Sequence, residues 1–163
     1  ATDNSTTTRS NHTLYFDLRL KNEMKDKGVG YDDLNLTFFY VQNGSLGIAN
    51  YTVPSFYQGH DKKARRKELV QTYGVPWEAA YRAVSNGSTV TFRVGLTTRV
   101  RYKILFWYTK RHGLKVGANV DVNNSGKKVN KKGIRLKSGA PESVRCPGLV
   151  VISIALYFLV LLL

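Results

Sequence analysis

Cysteine is almost absent from this chain. Cys146 is the one thiol in 163 residues, so no intramolecular disulfide can form and the core alone must hold the fold, which a domain of this size can manage. Histidine is scarce as well. His12, His60 and His112 stand in unrelated contexts, without the i, i+4 spacing or Cys/His clustering of a metal site, so neither metal nor other cofactor is expected. There is no Gly-rich phosphate loop and no nucleophile elbow. Asp32 and Asp33 are adjacent, and successive strand residues point to opposite faces, so they suit a turn or strand entry better than acid–base work. An enzyme is disfavoured. Heptads, internal repeats and collagen-like runs are missing too.

Acidic residues are the other shortage. Eleven Asp and Glu oppose 25 Lys and Arg, for a formal net charge of +14, and such a balance asks for an anionic partner or surface. The cations gather in Lys62 to Lys67 (KKARRK), in Arg99, Arg101 and Lys103, in Lys110 and Arg111, and in Lys127 to Lys137 (KKVNKKGIRLK). A solvated face that keeps the protein soluble is the plainer use of each cluster. As a binding surface, the candidates are His60, Lys62, Lys63, Arg65, Arg66, Arg99, Arg101 and Lys103.

Apolar residues are plentiful at the C-terminus. From Leu149 onward there are six Leu, three Val, two Ile and one Phe with no charge. At the insertion energy of such residues the sum is about −4 to −7 kcal/mol, so the segment leaves water. A helix of that length would be about 22 Å long, short of a hydrocarbon core of about 30 Å. Before it stand a small triplet (Ser138, Gly139, Ala140) and a polar spacer to Pro147 that contains Arg145 and Cys146. Small residues, spacer and hydrophobic tail in that order are the signal for a glycosylphosphatidylinositol (GPI) anchor, with Ser138 and then Gly139 as the attachment residue. A true tail anchor and an exposed core strand are the alternatives. The expected organisation is a polar N-terminal segment 1–12, a domain 13–137, and an anchor signal 138–163. Ala1 to Ser10 (ATDNSTTTRS) is polar and lacks an apolar signal region, so a targeting or membrane segment is expected ahead of this fragment.

Asparagine sequons test the compartment independently. Asn-x-Ser/Thr occurs at Asn4, Asn11, Asn35, Asn43, Asn50, Asn86 and Asn123, seven of eleven asparagines, where chance predicts about one or two. They imply a glycosylated, lumen-facing surface. Asn43-Gly44-Ser45 and Asn86-Gly87-Ser88 are also good hairpin turns. Nucleic acid, the default partner of so basic a cytosolic chain, fits neither tail nor sequons; acidic cell-wall polysaccharide or anionic membrane head groups fit better.

Two-residue alternation, the period of a half-buried strand, runs through nearly every apolar segment. Leu14, Phe16, Leu18 and Leu20 share one face, as do Leu34, Leu36, Phe38 and Tyr40. A third strand runs from Leu46 to Val53, where Pro54 marks an edge or bulge. Lys62 to Glu68 fits a helical turn or an outward strand. Ala79 to Val84 and Val90 to Leu96 predict two strands joined at Asn86-Gly87. Val100, Tyr102, Ile104, Phe106 and Tyr108 then alternate with Arg99, Arg101, Lys103, Leu105 and Trp107, followed by strands over Leu114–Val122 and Val129–Leu136. Seven to nine short strands argue for an antiparallel β-sandwich.

Three strings carry a family resemblance: Tyr31-Asp32-Asp33; Val53-Pro54-Ser55-Phe56-Tyr57-Gln58-Gly59-His60; and Val100-Arg101-Tyr102-Lys103-Ile104 leading to Phe106-Trp107 and Thr109-Lys110-Arg111. From Thr13 to about Lys137 the chain resembles the plant non-race-specific disease resistance and harpin-induced-like family, built on the late embryogenesis abundant type-2 domain. The resemblance implies an immunoglobulin- or fibronectin III-like β-sandwich on the outer face of the plasma membrane, acting in pathogen defence without catalysis. Taken together with the tail, the sequons and the basic clusters, it leads to defence-signalling proteins and, through membrane–wall adhesion, acidic polysaccharide as the expected partners. A stress-protective structural role at the membrane–wall boundary during water loss is the alternative. The family's Asn-Pro-Asn box is here Asn22-Glu23-Met24, which puts in doubt any function tied to that box. Pro54, Phe56 and Tyr57 are expected to form a packed corner, with His60, Lys62 and Lys63 exposed.

Overall fold

In a computed structural model of the chain, two antiparallel sheets face each other across one apolar core. Residues 12–42, 44–130, 132–136 and 153–161 are described, the last stretch as backbone only. The strands are β1 (Thr13–Lys21), β2 (Gly28–Tyr31), β3 (Leu34–Tyr40), β4 (Leu46–Val53), β5 (Phe56–Gln58), β6 (Lys63–Gln71), β7 (Val90–Ile104), β8 (Trp107–Tyr108), β9 (His112–Val122), β10 (Ile134–Arg135) and β11 (Ser153–Leu161); one helix, α1, spans Trp77–Ser85. The smaller sheet has the order β10-β11-β1-β6 and the larger β4-β3-β7-β2-β5, with β8 and β9 also on β7. The expected antiparallel β-sandwich is therefore present.

Alternation builds the core. Leu14, Phe16, Leu18 and Leu20 turn inward from β1, Leu34, Leu36, Phe38 and Tyr40 from β3, and Val90, Phe92, Val94 and Leu96 from β7, all buried. Phe16 bridges the sheets, with its ring centroid 5.6 Å from Phe38 and 5.3 Å from Tyr51. Asp17 breaks the pattern: it is buried, and its carboxylate accepts hydrogen bonds from Arg65 at 2.7 and 2.5 Å and from Arg19 at 3.2 Å. β6, a strand rather than a helical turn, is an edge whose outward Lys and Arg discourage pairing with other chains.

In the larger sheet β7 is the spine. Along one of its sides β3 and β2 lie end to end, Leu36 opposite Leu96 and Gly30 opposite Arg101; β4 and β5 form the next lane in the same way. β9 pairs with β7 along the other side, from Val90↔Val122 to Val100↔His112.

Three expectations need correction. Ala79–Val84 is helical, because Trp77, Ala80, Tyr81 and Val84 recur at helical spacing and line one apolar pocket with Val90, Phe92 and Val122. Asn86-Gly87 is accordingly the end of α1, not a hairpin. Gly87 takes φ +80, its N–H bonds Val84 O, and Ser88 N–H bonds Ala83 O, a Schellman closure. Val100 to Tyr108 is not one strand either: the chain folds back at Leu105-Phe106, and Trp107 pairs with Ile104. Finally, the strand expected over Val129–Leu136 shrinks to Ile134–Arg135, since Val129 N–H bonds Asp121 O instead.

Ser153–Leu161 pairs with β1 over its whole length, Ser153 opposite Lys21 and Leu161 opposite Thr13. Ser138 and Gly139, the expected anchor positions, lie outside the described residues, as do Asn4, Asn11 and Asn43. Among the described residues no helix is long and apolar enough to cross a membrane.

Candidate functional site

The first two motif strings are opposite halves of one corner. The β2–β3 lane breaks at Asp32-Asp33 and the neighbouring β5–β4 lane at Pro54-Ser55, at the same level of the sheet. Proline has no N–H to donate to a ladder, and the neighbouring Ser55 N–H is taken up by Asp33 Oδ1 at 2.8 Å. Asp32 is fixed to the spine by its N–H to Arg99 O at 2.9 Å and by Thr98 Oγ1, which donates to its carbonyl at 3.0 Å. The two carboxylates thus shape a kink. Across it Arg111 reaches Asp32 at 3.2 Å, and Arg99, Arg111, Lys115, Asp32, Asp33 and Ser55 line an open groove of about 780 Å³.

Nearer the end of β7 the outer face is aromatic and cationic. Gly28 lies opposite Lys103, and Gly30 opposite both Arg101 and Tyr57. These two glycines are a floor. A Cβ at Gly28 would overlap the phenol ring of Tyr57, and one at Gly30 would sit 3.2 Å from Arg101 Cγ. Over that floor the Arg101 guanidinium lies 4.4 Å from the Tyr108 ring centroid, and Lys103 Nζ lies 5.7 Å from Tyr57 and 5.8 Å from Tyr108, within cation–π range. The third motif string closes the hairpin beneath: Tyr102 N–H donates to Thr109 Oγ1 and Thr109 N–H to Tyr102 O, both at 2.9 Å.

Two buried amides seal this end. Gln58 Nε2 donates to Leu20 O at 3.1 Å and Lys62 O at 2.6 Å, while its Oε1 accepts from Tyr31 Oη at 3.1 Å. Burial pushes the Tyr31 hydroxyl far above the usual phenol range, with a smaller push from Tyr102, so it stays a donor. Asn22 Nδ2 donates to Lys27 O at 2.9 Å and Gly59 O at 3.0 Å, and its Oδ1 accepts from Met24 N–H. The departure at Asn22-Glu23-Met24 therefore keeps its structural member, Asn22.

The sequence-predicted cations do not all share one face of a sheet. Arg99, Arg101 and Lys103 share the outer face of β7, whereas His60, Lys62 and Lys63 are exposed on the β5–β6 turn and the start of β6. Arg65 is engaged by Asp17, and Arg66 lies 5.3 Å over the Phe56 ring, which itself stacks on Tyr31 at 4.9 Å. Pro54 and Tyr57 are exposed and Phe56 half-buried, so the corner is packed on one side only. Sequence reasoning missed Tyr57 and Tyr108 as partners of Arg101 and Lys103, and the available signal was the alternate glycines Gly28 and Gly30.

Of the described sequons, Asn35 lines the groove beside Arg99 and Lys115, and the others lie outside its lining. Asn35 and Asn50 are exposed on β3 and β4, Asn86 caps α1, and half-buried Asn123 follows β9, where its Oδ1 accepts from Ser125 and Lys127 N–H. His12 is buried and stacked on Trp77 at 4.5 Å, His112 lies 6.2 Å from Tyr102, and His60 is on a turn. Among the described residues no group of three or more His, Cys, Asp or Glu could hold a metal ion.

Comparison with known proteins gives one strong relationship. The chain is 41% identical over 159 residues to Protein NDR1 of Arabidopsis thaliana, covering 92% of this chain and 72% of that protein. No family profile matches the chain, and no solved structure does.

Proposed function

The chain belongs to the plant family of NDR1, the non-race-specific disease resistance family, and from that premise we propose that it is a non-enzymatic component of disease defence held at the outer face of the plasma membrane. The observation that carries the reading is the identity itself, which spans nearly the whole chain. The tether is the GPI lipid attached at Ser138 or Gly139 after removal of the apolar tail. Sequons at exposed Asn35, Asn50 and Asn86 support a domain matured in the secretory pathway. Acidic wall polysaccharide is met at the Arg99, Arg111 and Lys115 side of the open groove, across from the Asn35 sequon that also lines it; that contact weakens at moderate ionic strength. Defence-signalling proteins are the other partners, for which the domain serves as a membrane-proximal support.

The decisive experiment treats intact plant cells with a phosphatidylinositol-specific phospholipase. Release of glycosylated protein into the medium is expected, after deacylation of the inositol where the first treatment leaves it bound. Retention after both treatments, or unglycosylated protein in the cytosol with Leu163 still attached, overturns the reading.

A further inference from the structure

The most exposed large apolar side chain among the described residues is Phe106, at 92%; its neighbours Leu105 and Trp107 follow at 78% and 76%. They are consecutive and form the tip of the β7–β8 hairpin. Leu105 holds a left-handed backbone, φ 53, a conformation a branched side chain adopts only when its surroundings impose it. Here the Ile104↔Trp107 and Lys103↔Tyr108 pairs impose it and aim the tip outward.

Three further observations single out this end of the sandwich. Continuing the Gly28↔Lys103 register places Lys27 beside the tip, and the Asn22 bonds to Lys27 O and Gly59 O bring the two adjoining loops together. Those loops add Lys25, Lys27, Lys62 and Lys63 to Arg101 and Lys103, against Glu23, Asp26 and Asp61. The described sequons are remote: Asn35 lies opposite Thr97, seven residues before Ile104 and about 23 Å back along the strand, while Asn86 and Asn123 sit at the opposite end.

An aromatic and aliphatic point ringed by cations, with no described sequon beside it, matches an anionic bilayer surface. Trp and Tyr settle at the head-group level, apolar side chains enter the acyl boundary, and Lys and Arg lie along the surface with their charges on phosphate. We propose that the β7–β8 hairpin docks the domain on an anionic lipid bilayer, inserting Leu105, Phe106 and Trp107 while Arg101, Lys103, Lys62 and Lys63 contact lipid phosphates. This does not rest on the lipid anchor, since a domain tethered by any route presents the same tip.

The test uses the full chain and mixed phosphatidylcholine–phosphatidylglycerol vesicles. The Trp107 signal is the difference between the native chain and Trp107→Phe, which retains Trp77 as the other of two indoles. A blue shift of that signal, quenching by lipids brominated high in the acyl chain, and loss of both at moderate ionic strength are expected. Phe106→Asp should weaken the response about tenfold or more, and Tyr73→Ala, an exposed aromatic at the other end, should leave it unchanged. Co-sedimentation with vesicles while Trp107 keeps its aqueous emission would assign binding to the apolar tail and overturn the proposal. An equal shift with soluble polygalacturonate would also overturn it, making the tip a polysaccharide site. Phospholipase release from cells reads the anchor and not the hairpin, so the two readings fail separately.

Discussion

The two ends of the sandwich treat their tryptophans in opposite ways. Where β7 begins, Trp77 stacks on His12 at 4.5 Å, lies 6.3 Å from Tyr81 and 6.4 Å from Phe92, and rides on a helix closed by Gly87. Where β7 ends, Leu105, Phe106 and Trp107 stand in solvent although Asn22, Gln58 and Tyr31 in the same half of the sandwich are buried and hydrogen-bonded. One end is closed by a lid, the other by two side-chain amides. Apolar exposure at the hairpin is thus added above a sealed core and is not the residue of an unfinished one. Stability and interaction should separate between these groups.

The largest effect should come from the seal. Asn22→Ala strands Lys27 O, Gly59 O and Met24 N–H, and should cost about 3 kcal/mol in urea unfolding of the full chain. Trp77→Ala at the lid should cost about 2–3 kcal/mol and leave the Trp107 response to vesicles intact. A cost below about 1 kcal/mol for Asn22→Ala would mean that the hairpin end is not sealed, and the contrast between the ends would collapse.

A smaller effect belongs to neither end. Asp17 is held by Arg65 midway along β1, and the Arg65 hydrogen bonds, aided by Arg19, keep its carboxyl below the usual 3.8 against the upward push of burial. Arg65→Met leaves a buried carboxylate without its main partner and should cost about 2 kcal/mol, whereas Asp17→Asn leaves a half-exposed guanidinium that water can serve and should cost about 1 kcal/mol. The sign of the pH dependence follows. Because the folded value is lowered, the unfolded chain takes up the proton first, so this stability is complete above about pH 4 and is lost as pH falls through the folded value. The native chain should lose stability below about pH 4 more steeply than Asp17→Asn, as read by urea midpoints; parallel acid limbs would show that Asp17 is not held.

Much of this architecture was legible because β1, β3 and β7 are half-buried strands whose alternate residues must face one core. Asp17 shows the limit of that rule, since a buried carboxylate looks outward until its cation is placed on another strand. α1 was misread because Ala79, Tyr81 and Ala83 alternate as well as they spiral, and only packing against Val90 and Phe92 selects the helix. The β7–β8 hairpin was hidden for a different reason: Leu105-Phe106 lacks the Gly, Asn, Asp or Pro that announces a turn, so alternation ran through it unbroken. The candidate cations were legible as clusters, but their grouping was not. Tyr57, Tyr108 and Arg101 converge through long-range pairing around Gly28 and Gly30; the alternate glycines signal a bare floor without saying which side chains lie over it.

Gly28→Ala probes the boundary between seal and surface with the smallest expected energy. The three atoms nearest an added Cβ all belong to the Tyr57 ring, and Tyr57 is half exposed, so the ring can swing into solvent without moving the strand. The lost contact and the lower entropy of the unfolded chain oppose each other. Stability should therefore stay within about 0.5 kcal/mol of the native chain, while Tyr57 loses its nuclear Overhauser contact to residue 28 and Lys103 loses one of its two aromatic neighbours. Vesicle binding should fall less than in Phe106→Asp, because the tip itself is untouched. A loss of 2 kcal/mol or more would show instead that Tyr57 is part of the packing, that the floor of Gly28 and Gly30 belongs to the core, and that the sealed end extends outward to the aromatic face.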